Sequence, residues 1–446
     1  MQAPPAQPSI LPVTDSATDS QHWRACFAER PDLLQGPSRL VEFRQQALDR
    51  LDKTPFPTRR DEDWRYSDFT KYLRQDFLVR DALVPDIQRA DFEIPDFDGF
   101  VLVTVDGAFR PALSDDVPGL HISTVEASLE QEPYAFWLDR TLAELHAPAE
   151  NAFVALNAAF AKTSLFIAAE RNQRLGKPIH IIHLATRHAG PQMLCSQVFV
   201  MMPQGAELTI DETFHTLGEG KLVFRNHLVR AGLSAQARLE YRSIQDEDRR
   251  DIHLSNFAAD QQAGSKLDHA RVDLGGVAVR NNLSVSHKAA GLETSLNGLF
   301  FARDRQRIDN QTFIDHAFPH GESNELYKGI VMDRGVTSFN GKVMVRPDAQ
   351  KTNAFQQNDN LVIGQHAEAN AKPQLEIFAD DVKCSHGATI GQLDEGPLYY
   401  LMSRGITRGE GLAMLQRGFL LEVLDTIDSS SIRNYVERKV LDKFNA

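Results

Sequence analysis

Apolar residues recur at three- and four-residue intervals near both ends of the chain and at every second position through its middle. Gln21 to Leu34 and Pro37 to Leu51 carry the helical signal; in the second, Leu40, Phe43, Ala47, Leu48 and Leu51 share a face, with Pro37 just inside the start. Thr54-Pro-Phe-Pro breaks that helix. The charged run Arg59-Arg-Asp-Glu-Asp-Trp-Arg-Tyr follows, and reads as a solvated turn with Trp64 pinned into the domain. A further helical region is predicted between Pro133 and Lys162, where Leu138, Leu142, Leu145, Phe153, Leu156 and Phe160 supply the apolar faces.

From about Lys177 the period becomes two. His180-Ile-Ile-His-Leu-Ala-Thr, Glu207-Leu-Thr-Ile-Asp, Ala237-Arg-Leu-Glu-Tyr-Arg-Ser-Ile and Ser338-Phe-Asn-Gly-Lys-Val-Met-Val are examples of short alternating strands separated by glycine and asparagine. No helical stretch interrupts the series, which disfavours a sheet built from strand–helix–strand units. A β-helix or similar solenoid and a sandwich both remain open, with the many short, turn-rich strands leaning toward the solenoid. The chain therefore divides into a tail, 1–18; a mainly helical region, 19–165; a β core, 166–391; and a helical end, 392–446.

In that last region, Gly396-Pro-Leu-Tyr-Tyr-Leu-Met-Ser-Arg-Gly reads as a short helix ended by Gly405. Thr407 caps the next helix, with Glu410 completing a capping box. Leu412, Leu415, Phe419, Leu420, Val423, Leu424 and Ile427 form its broad apolar stripe, and a final helix runs from Ile432 to Phe444. Such a stripe either packs on the β core or docks a partner.

At 446 residues, 42% of them hydrophobic, the chain can support a large core, and its net charge of −13 argues against a nucleic-acid surface. Three dispersed cysteines, Cys26, Cys195 and Cys384, do not suggest a disulfide framework. Met1 to Asp15 does not resemble a signal peptide and no apolar run is long enough to span a membrane, so a cytoplasmic protein with no membrane or nucleic-acid partner is expected. Walker A, Gly-x-Gly-x-x-Gly, Gly-x-Ser-x-Gly and His-Glu-x-x-His patterns are all missing, so the sequence does not support an ATPase, hydride-transfer or nucleophile enzyme.

The tract Asp380-Asp-Val-Lys-Cys-Ser-His-Gly-Ala-Thr-Ile-Gly carries the clearest candidate chemistry. On an extended segment Cys384 and His386 share a face, so a thiolate and an imidazole can approach one metal ion, although two such ligands do not close a site. Simple packing and hydrogen bonding are the alternative for this pair. His316 and His320 have ligand-like spacing, but Pro319 lies between them; His287 and His366 read as ordinary hydrogen-bonded histidines. Cys195 lies in an apolar stretch and reads as a buried thiol. A β-helical carbohydrate-active enzyme is a further alternative, weakened because Asp380 and Asp381 are adjacent and do not share a strand face.

Asn324-Glu-Leu-Tyr-Lys-Gly-Ile, Gly341-Lys-Val-Met-Val, Gln356-Gln-Asn-Asp-Asn-Leu-Val-Ile, Pro373 through Thr389 and Tyr400-Leu-Met-Ser-Arg-Gly-Ile, in that order, resemble the SufB/SufD family of iron–sulfur cluster assembly proteins. Asp63-Trp-Arg-Tyr is similar to that family's N-terminal signature, and the cysteine poverty and divergent N-terminus look like its SufD branch. The resemblance implies a right-handed parallel β-helix core between N- and C-terminal helical domains. It implies no enzymatic activity in this chain, with ATP bound by the ABC-type partner SufC, and a SufB–SufC2–SufD complex. A transient iron ion or nascent cluster is expected at the SufB interface, with His386 as a shared ligand and Cys384 beside it. Tyr399, Tyr400, Leu412, Leu415, Phe419, Leu420 and Val423 become the expected SufC footing, and the isolated chain is expected to pair with itself through its β-helix. A self-sufficient SufB-like scaffold is the nearest alternative within the family.

Overall fold

The computed structural model describes residues 20–445, apart from 74, 76, 78, 80–86, 148 and 149; the tail expected over 1–18 lies outside the described residues. From Leu165–Ala169 to Lys383–Gly391, consecutive strands alternate between two sheets, and each pairs in parallel with the strand two places further on. The result is a parallel β-solenoid of about 8 turns flanked by helices, not a sandwich. Alternating burial explains why these sequences coil in this way. In Asn353–Ile363, for example, Ala354, Gln356, Asn358 and Asn360 are buried whereas Phe355 between them is exposed.

Much of the inward surface is apolar. Val198, Val229, Phe257 and Val285 from one sheet meet Ile210, Leu239, Leu267 and Leu296 from the other. Burying each of these larger side chains contributes about 1.5–3 kcal/mol. Small residues fit where aromatic rings cross the interior: a side chain on Gly329 would enter the Phe300 ring, and one on Gly298 the Tyr327 ring.

The helices are α1 (Ser20–Ala28), α2 (Ser38–Leu51), α3 (Val125–Ser128), α4 (Tyr134–Glu144), α5 (Ala152–Phe160), α6 (Glu395–Ser403), α7 (Arg408–Leu424) and α8 (Ser430–Asn445). Every residue of α5 is buried, and Asn151 caps it by accepting from the backbone N–H groups of Phe153 and Val154. Its one interior polar side chain, Asn157, donates to the carbonyls of Ser196 and Asn226, which ties the helix to two neighbouring strands. The region 19–165 also contains strands that the helical reading does not anticipate. Phe100–Val105 adds in parallel to Ile179–Thr186, and Leu120–Thr124 pairs antiparallel with Leu165–Ala169. They cover the sheet edges at the start of the solenoid, edges that would otherwise expose unpaired backbone groups.

Trp64 is buried, as its sequence context predicts. Its ring stacks on Phe153 at 5.5 Å between centroids, and the guanidinium carbon of Arg280 lies 3.6 Å from its centre on the opposite element. Arg280 donates to the Asp63 carbonyl at 2.8 Å and pairs with Asp309, which also accepts from Ser67, Ser338 and Gln311. The signature segment is thereby fastened to three solenoid strands through one buried ion pair.

At the other end, Thr407 and Glu410 form the predicted capping box of α7. Leu420, Val423 and Leu424 of α7 join Ile432, Val436 and Val440 of α8 against Leu299, Phe301 and Ile330 on the outer face of the solenoid. Lys328 reinforces this seam by pairing with Glu422 and lying 4.9 Å from the Phe419 ring.

Candidate functional site

The solenoid has an unfinished end. Glu368–Ile377 and Lys383–Gly391 are the last strands of their respective sheets, each paired on one side only among the described residues. Register extends the inward rows onto this final turn. Cys384 follows Ala354, and His386 follows Gln356, which in turn follows Glu325. Ala354, Gln356 and Glu325 are buried, whereas Cys384 is half-buried and His386 is exposed, because no later turn covers them.

This position accounts for the properties of the pair. Cys384 packs beside Val343, Val345 and Ala354, and burial pushes its thiol above the usual range, partly opposed by the Ala354 backbone N–H. It therefore holds its proton more firmly than a free cysteine does. The imidazole of His386, on the same face two residues on, is open to solvent and to an incoming ligand. On the same last turn, Ile377, Phe378 and Ile390 expose large apolar side chains. A thiol and an imidazole at the rim of an apolar, edge-bearing surface can contribute to a metal site that a second surface completes.

Directly beneath His386 in the stack, Gln356 donates through Nε2 to Glu325 Oε2 at 3.1 Å, and Thr312 donates to the same oxygen at 2.7 Å. Burial pushes the Glu325 carboxyl up to about 7 despite these two donors. The Gln356 amide leans across to the opposing sheet at Gly341, where any side chain would meet its nitrogen.

Among the described residues, one group of three potential metal ligands converges: His183, Glu212 and His227, with ligand atoms within 4.8 Å of one another. All three are buried. Glu212 Oε1 accepts from Nε2 of His183 at 3.0 Å and from Nε2 of His227 at 3.1 Å. Thr104 and Ser196 then donate to the respective Nδ1 atoms, each at 2.8 Å. Both ring nitrogens of each histidine are thus engaged, and the cluster works as a sealed polar plug within the solenoid.

His316 does not join His320. Its Nδ1 faces Nδ1 of His287 on the neighbouring turn at 3.0 Å. Thr294 donates to Gln261, so its oxygen accepts from His287 Nε2–H, and His316 Nδ1–H must donate to His287. Cys195 is buried as predicted, and burial raises its thiol strongly.

The expected footing on the terminal helices is divided. Tyr399 and Tyr400 are 63% and 60% exposed, and Leu412, Leu415 and Phe419 are half-buried. Leu420 and Val423 are fully buried in the seam with the solenoid. Met402 and Met414, which sequence patterning did not single out, add exposed apolar surface beside the tyrosines.

The fold is a helix-flanked parallel β-solenoid whose last turn carries an exposed imidazole beside a half-buried thiol. Residues 183–419 match the core domain of the SufB/SufD proteins of the SUF iron–sulfur cluster assembly system, and residues 18–181 match the N-terminal region of those proteins. The chain is 31% identical over 432 residues to the iron–sulfur cluster assembly protein SufD of Escherichia coli, covering 96% of this chain and 97% of the relative. A SufBD family protein of Synechocystis is 31% identical over 414 residues, 90% of each chain, and the chloroplastic protein ABCI7 of Arabidopsis thaliana is 27% identical over 98% of this chain and 91% of its own. The chain belongs to the SufB/SufD family of iron–sulfur cluster assembly proteins, and within it is SufD-like.

Proposed function

We propose that this chain is the non-ATPase SufD subunit of a SufB–SufC2–SufD complex, and that it supports cluster assembly and iron acquisition where its open end meets SufB. The observation that carries the reading is the placement of His386 on an inward row left uncovered by the last turn of the solenoid. His386 supplies a neutral nitrogen ligand to a transient iron ion or nascent cluster, and SufB supplies the remaining ligands. Cys384 lines the same rim; its raised thiol favours a supporting position unless the metal itself displaces the proton. Iron or cluster is cargo in this scheme, and ATP is bound by SufC.

SufC docks on the terminal helices through the exposed Tyr399 and Tyr400, with Leu412, Leu415 and Phe419 at the margin. Leu420 and Val423 act from behind by holding α7 against the solenoid, so that movement of the ATPase is transmitted into the core. The test is anaerobic assembly on the reconstituted complex. His386→Ala should abolish or strongly reduce cluster formation while leaving the three proteins associated; normal assembly would refute the ligand role.

A further inference from the structure

We infer that Gln356 is the positioning residue for His386, accepting the imidazole N–H that faces the solenoid so that the other ring nitrogen is presented outward as the ligand. The inference rests on the ligand role proposed for His386 and extends it to the residue that orients the ring.

Two observations converge on Gln356. It is the in-register neighbour of His386, on the same inward row of the preceding turn, where adjacent strands lie about 4.8 Å apart. Its Oε1 is also buried without a hydrogen-bond partner, although the side chain is only 3% exposed. A buried carbonyl oxygen left unpaired costs about 1–3 kcal/mol, so it is poised to gain a donor. The amide is already oriented for this. Nε2 is committed to Glu325 on the turn below, at 3.1 Å, and Glu325 is braced by Thr312. In a planar amide, an NH2 group directed toward the lower turn turns the carbonyl oxygen away from it, toward the turn that carries His386. Gly341 provides the space in which the amide adopts this pose.

An imidazole ligand needs its second nitrogen held, since the hydrogen bond there selects the tautomer and raises the basicity of the ligating atom. No side-chain hydrogen bond of His386 is present among the described residues, and the unpaired Gln356 oxygen on the turn below is the acceptor in register with it. Glu325, Gln356 and His386 thus form a three-turn column in which the lower two members fix the third.

The full chain carrying 15N-labelled histidine reads the tautomer directly, with His386→Ala identifying the relevant ring signals. His386 should favour one tautomer in the unaltered chain and become a mixture in Gln356→Met, which keeps the shape but removes the acceptor. The paired exchange Gln356→Glu with Glu325→Gln, which keeps one amide donor and one acceptor between the two turns and leaves an oxygen facing His386, should restore the single form. In the complex with SufB, Fe(II) affinity should fall about tenfold or more in Gln356→Met and recover in the exchanged pair. Thermal unfolding of each variant separates this effect from loss of the fold. Unchanged ring spectra in a folded Gln356→Met chain would overturn the inference, as would equal loss of Fe(II) affinity in Gln356→Met and in a folded exchanged pair. If His386→Ala left Fe(II) binding intact while Gln356→Met still mixed the tautomers, the ligand role would fail and the positioning contact would stand.

Discussion

Replacing Trp64 by alanine removes the side chain that joins the N-terminal signature to the solenoid. The indole is 6% exposed, stacks on Phe153, meets Phe69 edge-on at 6.0 Å and covers the buried Arg280 guanidinium. Loss of a buried Trp costs about 3–5 kcal/mol through transfer and cavity terms, and about 2 kcal/mol of that kind of total is expected to come from the desolvated cation–π contact. Arg280 keeps Asp309 as a partner, so the ion pair survives but loses its apolar cover. Urea unfolding followed by far-UV circular dichroism, together with limited proteolysis across residues 59–73, measures the effect. The Trp64→Ala midpoint should fall and the segment should become the first cleavage site. A double-mutant cycle with Arg280→Met should give a coupling energy of about 1–2 kcal/mol. A destabilisation below about 1 kcal/mol, or a coupling near zero, would refute the argument that this stacked pair anchors the region.

Acid should loosen the solenoid before it disrupts the helices. Burial holds His180, His183, His253, His269 and His316 at about 3, 4, 3, 3 and 4, against an ordinary value of 6.5, so the folded chain keeps them neutral. Stability from these groups is present above pH 6.5 and is lost as pH falls from there toward 4, because the unfolded chain takes up the protons first. Glu325, raised to about 7, acts with the opposite sign, as do Asp211 and Asp251, each raised to about 6, and Asp106 and Asp273, whose carboxyls burial also raises. His215, held at about 4, and His287, held well below 6.5, join the other five histidines, and together they outweigh these carboxyls; a urea midpoint that stays flat from pH 7 to 4.5 would contradict this balance. Tyr400→Asp should weaken SufC capture while leaving the thermal midpoint within about 0.5 kcal/mol equivalent, as expected for an exposed position; unchanged capture would move the docking face elsewhere. Gly329→Ala should destabilise by about 1–3 kcal/mol or more because its methyl group enters the Phe300 ring, and paired replacement with Phe300→Leu should recover part of the loss. Iodoacetamide should modify Cys384 well before Cys195 in the folded chain, as mass spectrometry would reveal, since Cys384, like Cys26, is partly accessible whereas Cys195 is buried.

The strands, the three terminal helices and the Thr407–Glu410 capping box were legible because each depends on local periodicity or a local hydrogen bond. The turn length of the solenoid was hidden. Paired residues are 26 apart at Ile252 and Ala278 but 33 apart at Leu165 and Val198, so stacking follows a variable offset that a fixed-period search misses. The same variation concealed the meeting of His287 with His316 and of His183 with Glu212 and His227, which are distant in sequence and joined only by register. Phe100–Val105 was missed because its role as a cover strand depends on an edge formed by residues almost eighty positions later. At the candidate site, shared facing of Cys384 and His386 could be read from strand geometry. The difference in their exposure could not, since it depends on there being no turn above them.

That unfinished last turn also governs how readily the site can change. A side chain inside the stack must fit a neighbour on either side, and Gly298 and Gly329 show how narrow that tolerance is. At the final turn a substitution meets only one. The solenoid thus confines chemical novelty to the single layer where sequence can drift without forcing a matching change further along, and a common scaffold can give rise to subunits that differ chiefly in what they display at the tip.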